Sequence, residues 1–321
     1  MSSHRHLLEI SARAHQRGDP AALAVVIDTE GSTYVSAGAM ALFGAREGQV
    51  GWLSGGCLEP EIEKRAHDAV AHSRIECMDI DTREDEDLIG GSALGCRGRL
   101  RLALLPLAAL HDWPLLVEAW RGSRAPLDLH VGTDGAVSAG VGALRRQWQL
   151  QVAARDALAV DEQEWRVLVA APPRVLVFGA GPETPTLLPL LRSLGWMTAL
   201  VERRVRWQEE SRHADAVIEA TPETAMSSVD AHYFDAALVM NHNFEMDREA
   251  LFALAVVGIP FIGLLGPLRR KEDLFRVLPA VTREALQPRL RSPVGLKLGG
   301  QGPEAIALSI AAQLQAYRSP Q

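Results

Sequence analysis

The sequence predicts a two-domain α/β protein whose second half is built on a doubly wound parallel sheet. Three observations carry that prediction. The chain has 321 residues, more than one simple domain needs at roughly 150 residues each. From residue 174 onward, short apolar runs alternate with helical patterns across short connections, the rhythm of parallel strands covered by helices on both faces. The first of those runs also leads through Gly179-Ala180-Gly181 into a helical stretch, the strand–turn–helix context of a Rossmann phosphate turn. The expected division is therefore an N-terminal α/β domain over 1–172 and a C-terminal Rossmann-like domain over 173–321.

Composition narrows the function classes. Apolar residues make up 47% and charged residues 23%, an ordinary balance for a packed protein. A net charge of -7 argues against a broad nucleic-acid footprint. Cys57, Cys77 and Cys96 form no C-x-x-C pair and are too few for a disulfide framework. The N-terminus lacks the apolar stretch of a signal peptide. The uncharged stretch 250–268 is cut by Gly258-Ile259-Pro260 into a helix end and a buried strand, which argues against a membrane span. The expectation is a cytoplasmic protein, a homodimer, with neither membrane nor nucleic acid as partner.

In the first half, Leu7, Leu8, Ile10 and Ala14 predict a helix over 5–17, stopped by Gly18-Asp19-Pro20. A strand follows over 23–27, then a hairpin of 39–43 and 49–53. Pro60 suits the first turn of a helix that runs to about 72, with Ile62, Ala66, Ala69 and Val70 inward. Strands over 75–80 and 99–106 flank an acidic loop. It is not a calcium loop, because Glu84 takes the place of the required glycine and Gly90 that of the closing glutamate. Between 107 and 172 the pattern weakens to a helix over 112–121 and a hairpin of 127–131 with 135–141. The second half reads as strands over 174–178, 197–201, 216–219, 236–240 and 260–264, with a first helix over 182–194. A last helix over 303–317 carries Ile306, Ile310 and Leu314 on one stripe.

Several residues are candidates for chemistry. Gly179 permits a tight turn and Gly181 a close backbone approach to phosphate, while Glu202 follows at the distance from which an acid bonds a ribose hydroxyl. That combination points to NAD(P). Against it, Thr184 replaces the third glycine and Pro182 removes an amide donor, so a plain tight turn remains the alternative. The second candidate is Leu53-Ser54-Gly55-Gly56-Cys57-Leu58-Glu59-Pro60, where two glycines free the backbone and a cysteine precedes a helix. The helix dipole there favours a thiolate, at once nucleophile and soft-metal ligand. A cysteine between glycines also serves as a small packing residue, but Cys96 repeats the setting in Gly95-Cys96-Arg97-Gly98. Cys77, alternating within a strand, reads as core.

Gly299-Gly300-Gln301-Gly302-Pro303 opens the last helix and can offer amides to an anion or act as a flexible lead-in. His242 lies at a strand's C-terminal end, facing the crevice where open α/β sheets bind ligands. His67 and His72 do not share a helix face, and neither GxxxxGK[ST] nor GxSxG occurs.

Together these segments resemble the XdhC/CoxI family, accessory proteins of molybdenum-cofactor-dependent hydroxylases. The resemblance runs through Gly31-Ser32-Thr33-Tyr34 with Gly38-Ala39-Met40, the Cys57 loop and Gly95-Cys96-Arg97-Gly98. It continues through Gly179-Ala180-Gly181, Val239-Met240-Asn241-His242, Phe261-Ile262-Gly263-Leu264-Leu265-Gly266 and the stretch from Gly295-Leu296 to Ile310. Arg97 stands where the family usually has a second glycine. Pro182-Glu183 replaces a common His-Asp, and Asn241-His242-Asn243 a frequent Thr-His-Asp. The resemblance implies a chaperone without turnover of its own. It would bind the molybdenum cofactor, as molybdopterin or its dinucleotide form, and guard it during sulfuration by a cysteine desulfurase. It would then deliver the cofactor to an apo-molybdenum hydroxylase of the xanthine or aldehyde dehydrogenase type.

On that reading Cys57 contacts the metal end of the cofactor, with Cys96 as a second thiol and Gly55 and Gly56 allowing close approach. Helix N-termini near Gly181 or near Gly300 and Gly302 would take the phosphate end. The rival reading is an NAD(P)-dependent oxidoreductase built on Gly179, Gly181 and Glu202.

Overall fold

The computed structural model describes residues 3–81, 98–153 and 164–318. The chain divides into two compact units, Met1–Ala171 and Pro172–Gln321.

In the first unit, α1 (His4–Arg17) begins where the Ser3 hydroxyl accepts the His6 N–H and ends at Gly18, whose φ of 70° gives a left-handed stop. There follow β1 (Ala22–Gly31), β2 (Met40–Ala45), β3 (Gly48–Val50), α2 (Glu59–His72), β4 (Arg74–Asp81), β5 (Gly98–Pro106) and α3 (Trp113–Gly122). The unit closes with β6 (Leu127–Gly132), β7 (Ala136–Val141), β8 (Leu144–Gln149), β9 (Gln151–Val152) and β10 (Glu164–Val169). One sheet has six strands in the order β3-β2-β1-β5-β4-β9, and a second has four in the order β10-β6-β7-β8.

Strand β1 serves both faces of its sheet, since successive side chains alternate. Leu23, Val25 and Ile27 join α1, α3 and the second sheet in one core. Ala22, Ala24 and Val26 pack with Ile62, Ala66 and Ala69 of α2 in another. A strand buried on both faces reads as an unbroken apolar run.

Within 107–172 the expected helix and hairpin are α3 and β6–β7, and the second sheet adds β8 and β10 to them. Trp165, Val167 and Val169 of β10 alternate inward against exposed neighbours. In β8, Arg145, Gln147 and Gln149 face solvent. The alternate positions of β8, Leu144, Arg146 and Trp148, are only partly buried, so that strand does not stand out in sequence.

The second unit comprises β11 (Arg174–Phe178), α4 (Thr184–Ser193), β12 (Met197–Val201), β13 (Ala216–Ile218), α5 (Pro222–Ser228), β14 (Ala236–Val239) and α6 (Phe244–Ala255). It continues with β15 (Ile262–Leu264), α7 (Leu268–Val277), α8 (Ala280–Leu286), β16 (Leu290–Arg291) and α9 (Pro303–Arg318). Six strands pair in the order β13-β12-β11-β14-β15-β16, all parallel. This is the doubly wound Rossmann order, with its topological switch between β11 and β14. Val175 and Val177 face α4 and α9, whereas Leu176 and Phe178 face α6, α7 and α8.

Two expectations change here. The first helix starts at Thr184 rather than at residue 182, leaving Pro182 in the turn. Helices α7 and α8 and strand β16 add to the elements expected from sequence. In α7 Leu274 is buried and Phe275 packs partly against the same core. The 250–268 stretch holds the end of α6 and the strand β15, and no helix among the described residues is long and apolar enough to cross a membrane.

Candidate functional site

The loop carrying Cys57 leaves β3 and enters α2, and it is held from below. Glu59, 4% exposed, accepts the N–H of Leu53 at 3.0 Å and of Ser54 at 2.8 Å, and also the Ser54 hydroxyl proton. The Ser54 oxygen in turn accepts the N–H of Gly56 and of Leu58, each at 3.1 Å. Burial alone would raise the Glu59 carboxyl, but the Ser54 hydroxyl and the loop amides hold it below its ordinary value. The anion stationed at the N-terminal end of α2 is thus the Glu59 carboxylate. Above this frame Gly55, Gly56 and Cys57 are exposed, and Cys57 is a free thiol. Gly56 has a φ of 104°, and a Cβ built on either glycine meets nothing within 4 Å.

Other segments meet at one end of the six-stranded sheet. Strands β1 and β4 end there and β5 begins there, with Gly31 opposite Gly98 and Asp81 opposite Arg99. Strand β3 also runs toward this end, Val50 pairing with Leu42 near the start of β2. Gly98 must be glycine, because a Cβ would lie 2.7 Å from the carbonyl oxygens of Glu30 and Ser32. Cys96, with Gly95 and Arg97, lies outside the described residues, as does most of the acidic loop. Cys77 is 8% exposed and belongs to the core. Arg101, 7% exposed, pairs with Asp28 and, at 2.9 Å, with Glu30.

In the second unit Gly179, Gly181, Glu202 and His242 come together at the switch point. All three amides of the turn are spent within the chain. Gly179 N–H donates to Val201 O at 3.0 Å, Ala180 N–H to Glu202 Oε2 at 2.7 Å, and Gly181 N–H to Thr184 Oγ1 at 2.8 Å. Gly181 is needed for a different close approach: its Cβ would sit 2.7 Å from His242 Nε2.

The Glu202 carboxylate is likewise bonded within the chain. Only 1% of its side chain is exposed, and it accepts Arg204 N–H at 2.8 Å, Arg204 Nε–H at 2.9 Å and Arg204 Nη2–H at 2.6 Å. Burial pushes its carboxyl up, while Arg204 and the Ala180 amide bring it net below its ordinary value. No oxygen is left for a ribose.

His242 stands over this crevice in a left-handed conformation, φ 53°, which a non-glycine residue adopts only at a cost. Its Nε2 lies 2.9 Å from Glu183 Oε2, with side chains 44% and 5% exposed. That hydrogen bond is the main reason the imidazole is held above its ordinary value, with burial opposing it. The preceding residue is anchored too. Asn241 donates through its backbone and side chain to Asp247 Oδ1, and Asp247 is paired with Arg270 at 2.5 Å.

Gly300 and Gly302 lie exposed before α9 with positive φ. His72 bonds the Asp68 carbonyl through Nδ1, and no group of metal-ligating side chains forms among the described residues. Sequence reasoning missed Arg204, which shows there only as part of a basic run, and the supporting roles of Glu59 and Ser54. The cue available was a carboxylate two residues beyond the cysteine at a helix start.

Residues 14–81 match the XdhC and CoxI family, and residues 175–314 match the XdhC Rossmann domain. The chain is 27% identical over 312 residues to a Bacillus subtilis (strain 168) protein named as a probable xanthine dehydrogenase subunit, covering 92% of each. It is also similar to a crystal structure described as a xanthine dehydrogenase from Bacillus halodurans. There the TM-score is 0.76 and the identity 28%, over 99% of this chain and 97% of that one.

Proposed function

The chain belongs to the XdhC and CoxI family, and on that premise we propose that it is an accessory protein of a molybdenum hydroxylase. Its task would be to bind the molybdenum cofactor as cargo, shield it while a cysteine desulfurase sulfurates it, and pass it to the apo-hydroxylase. The relatives' names, a xanthine dehydrogenase and a probable subunit of one, support a client of that type.

The observation that carries the reading is the Cys57 loop: an exposed thiol on a backbone with open space at Gly55 and Gly56. Its position is set by the buried Glu59 beneath. A cysteine sulfur is a soft ligand that can approach the metal–dithiolene end of the cofactor. A rigid underside with an open top presents that thiol without a side chain in the way. The oxidoreductase alternative is not favoured, because the turn amides and the Glu202 carboxylate are already bonded.

The test is molybdenum and pterin content after anaerobic mixing with free cofactor and desalting, for wild type and Cys57→Ala. Near-stoichiometric retention that collapses in the variant supports function and site together. Retention unaffected by the substitution removes Cys57 from the site. Failure of the wild-type protein to retain cofactor overturns the proposal.

A further inference from the structure

The crevice of the Rossmann unit is filled by the chain's own groups, and one residue does most of the filling. In a doubly wound sheet a dinucleotide lies outside the carboxyl ends of the strands, at the switch point. It needs free amides in the glycine turn, a free carboxylate oxygen at the end of the second strand, and open space over the turn. Each requirement is met here by an intramolecular bond. The turn amides go to Val201, Glu202 and Thr184. His242, tied to Glu183, stands against Gly181.

Arg204 lies across the rest. Its Nη1 donates to Asn241 O at 2.8 Å and its Nη2 to Ala180 O at 2.9 Å, while Nε and Nη2 hold the two oxygens of Glu202. The guanidinium thus touches the segments just beyond β11, β12 and β14, the three strands a nucleotide would straddle.

We infer that Arg204 is an internal stand-in for the ribose of an adenine nucleotide and is the residue that decides against dinucleotide binding. Its two N–H groups give Glu202 the paired donors that a ribose diol would give. The exchange is one-sided for two reasons. A guanidinium is the stronger partner for a carboxylate than a neutral hydroxyl. Displacing it also leaves the carbonyls of Ala180 and Asn241 without their donor. Arg204 sits two residues from Glu202, so it competes as a tethered group against a free ligand. The latch concerns the Rossmann unit alone and does not depend on the cargo reading or on Cys57.

The test titrates NAD+, NADP+ and ADP-ribose into the full-length protein by calorimetry, following the amide resonances of Gly179 to Gly181. Wild type is expected not to saturate up to about 1 mM, the weak end of ordinary substrate affinities. Arg204→Ala should bind ADP-ribose at least roughly tenfold more tightly, the equivalent of one charge-assisted hydrogen bond. The double variant Glu202→Gln/Arg204→Ala should lose that gain, because the ribose acceptor is gone. Arg204→Lys keeps a cation beside Glu202 but cannot span both carbonyls, so it gives a smaller gain and a second readout should Arg204→Ala fail to fold. Saturable binding by wild type with shifts at the turn amides would overturn the inference. So would folded Arg204 variants that bind no better than wild type.

Discussion

Removing the Glu59 carboxylate tests whether the Cys57 loop is held from beneath. In Glu59→Ala the Leu53 and Ser54 amides lose acceptors at 3.0 and 2.8 Å, and both residues are nearly inaccessible to solvent. A buried donor left unpaired costs about 1–3 kcal/mol, so two cost about 2–6 kcal/mol, less whatever water regains through the exposed top of the loop. We expect a loss of about 2–4 kcal/mol of stability. Glu59→Gln retains one acceptor oxygen but turns an NH2 toward the Ser54 hydroxyl. That oxygen already accepts two N–H groups, so the hydroxyl proton is stranded and the loss is about 1–2 kcal/mol.

The assay is urea unfolding followed by tryptophan fluorescence, with an unchanged slope required for the comparison. Cofactor retention should fall in parallel. Acid gives a further check. The folded Glu59 carboxyl lies below its ordinary value of 4.5, so its contribution is present above that pH and is lost as pH falls through the lowered folded value. Wild type and variants should therefore converge in acid. A Glu59→Ala effect under about 0.5 kcal/mol, the range of ordinary surface changes, would refute the reasoning.

Other expectations rest on similar bonds. Arg289 donates to the carbonyls of Leu254, Ala255, Val257 and Ile259, closing the C-terminal end of α6. Arg289→Met should cost about 2–4 kcal/mol, read as a lowered melting temperature. His242 titrates above 6.5 in the folded protein because Glu183 bonds it. Its pairing therefore stabilises below that pH and is lost as pH rises through the raised value. His242→Gln should flatten this dependence, by about 1 kcal/mol at most given the exposure of the ring. Iodoacetamide on the native protein should label Cys57 and spare Cys77, with Cys77 reacting only after denaturation; peptide mass spectrometry reads both.

The parallel sheet was legible because β11, β12 and β14 are buried apolar runs separated by helices of ordinary length, a signal contained within each segment. Of the four-stranded sheet the β6–β7 hairpin was legible, whereas β8 and β10 were not, since they send half their residues to solvent and gain their identity from pairing with other strands. Cys57 and its glycines stood out by residue type and order. What Glu59 does beneath them did not, because that role depends on the loop folding back onto its own helix start.

The crevice makes the division plain. Spacing alone placed Gly179, Gly181 and Glu202 where a nucleotide site has them, and the strand order agrees. Glu183 and His242 are 59 residues apart and meet only because β11 and β14 are neighbours. Sequence by itself determined the fold class, a cysteine between glycines before a helix and the presence of a glycine turn at a strand end, while only the structure showed that cysteine to be exposed. Only the tertiary structure decided that the turn's amides and the Glu202 carboxylate were taken. Hydrogen-bonding capacity is finite, and which group claims it depends on what packing brings within 3 Å, a matter on which residue spacing is silent.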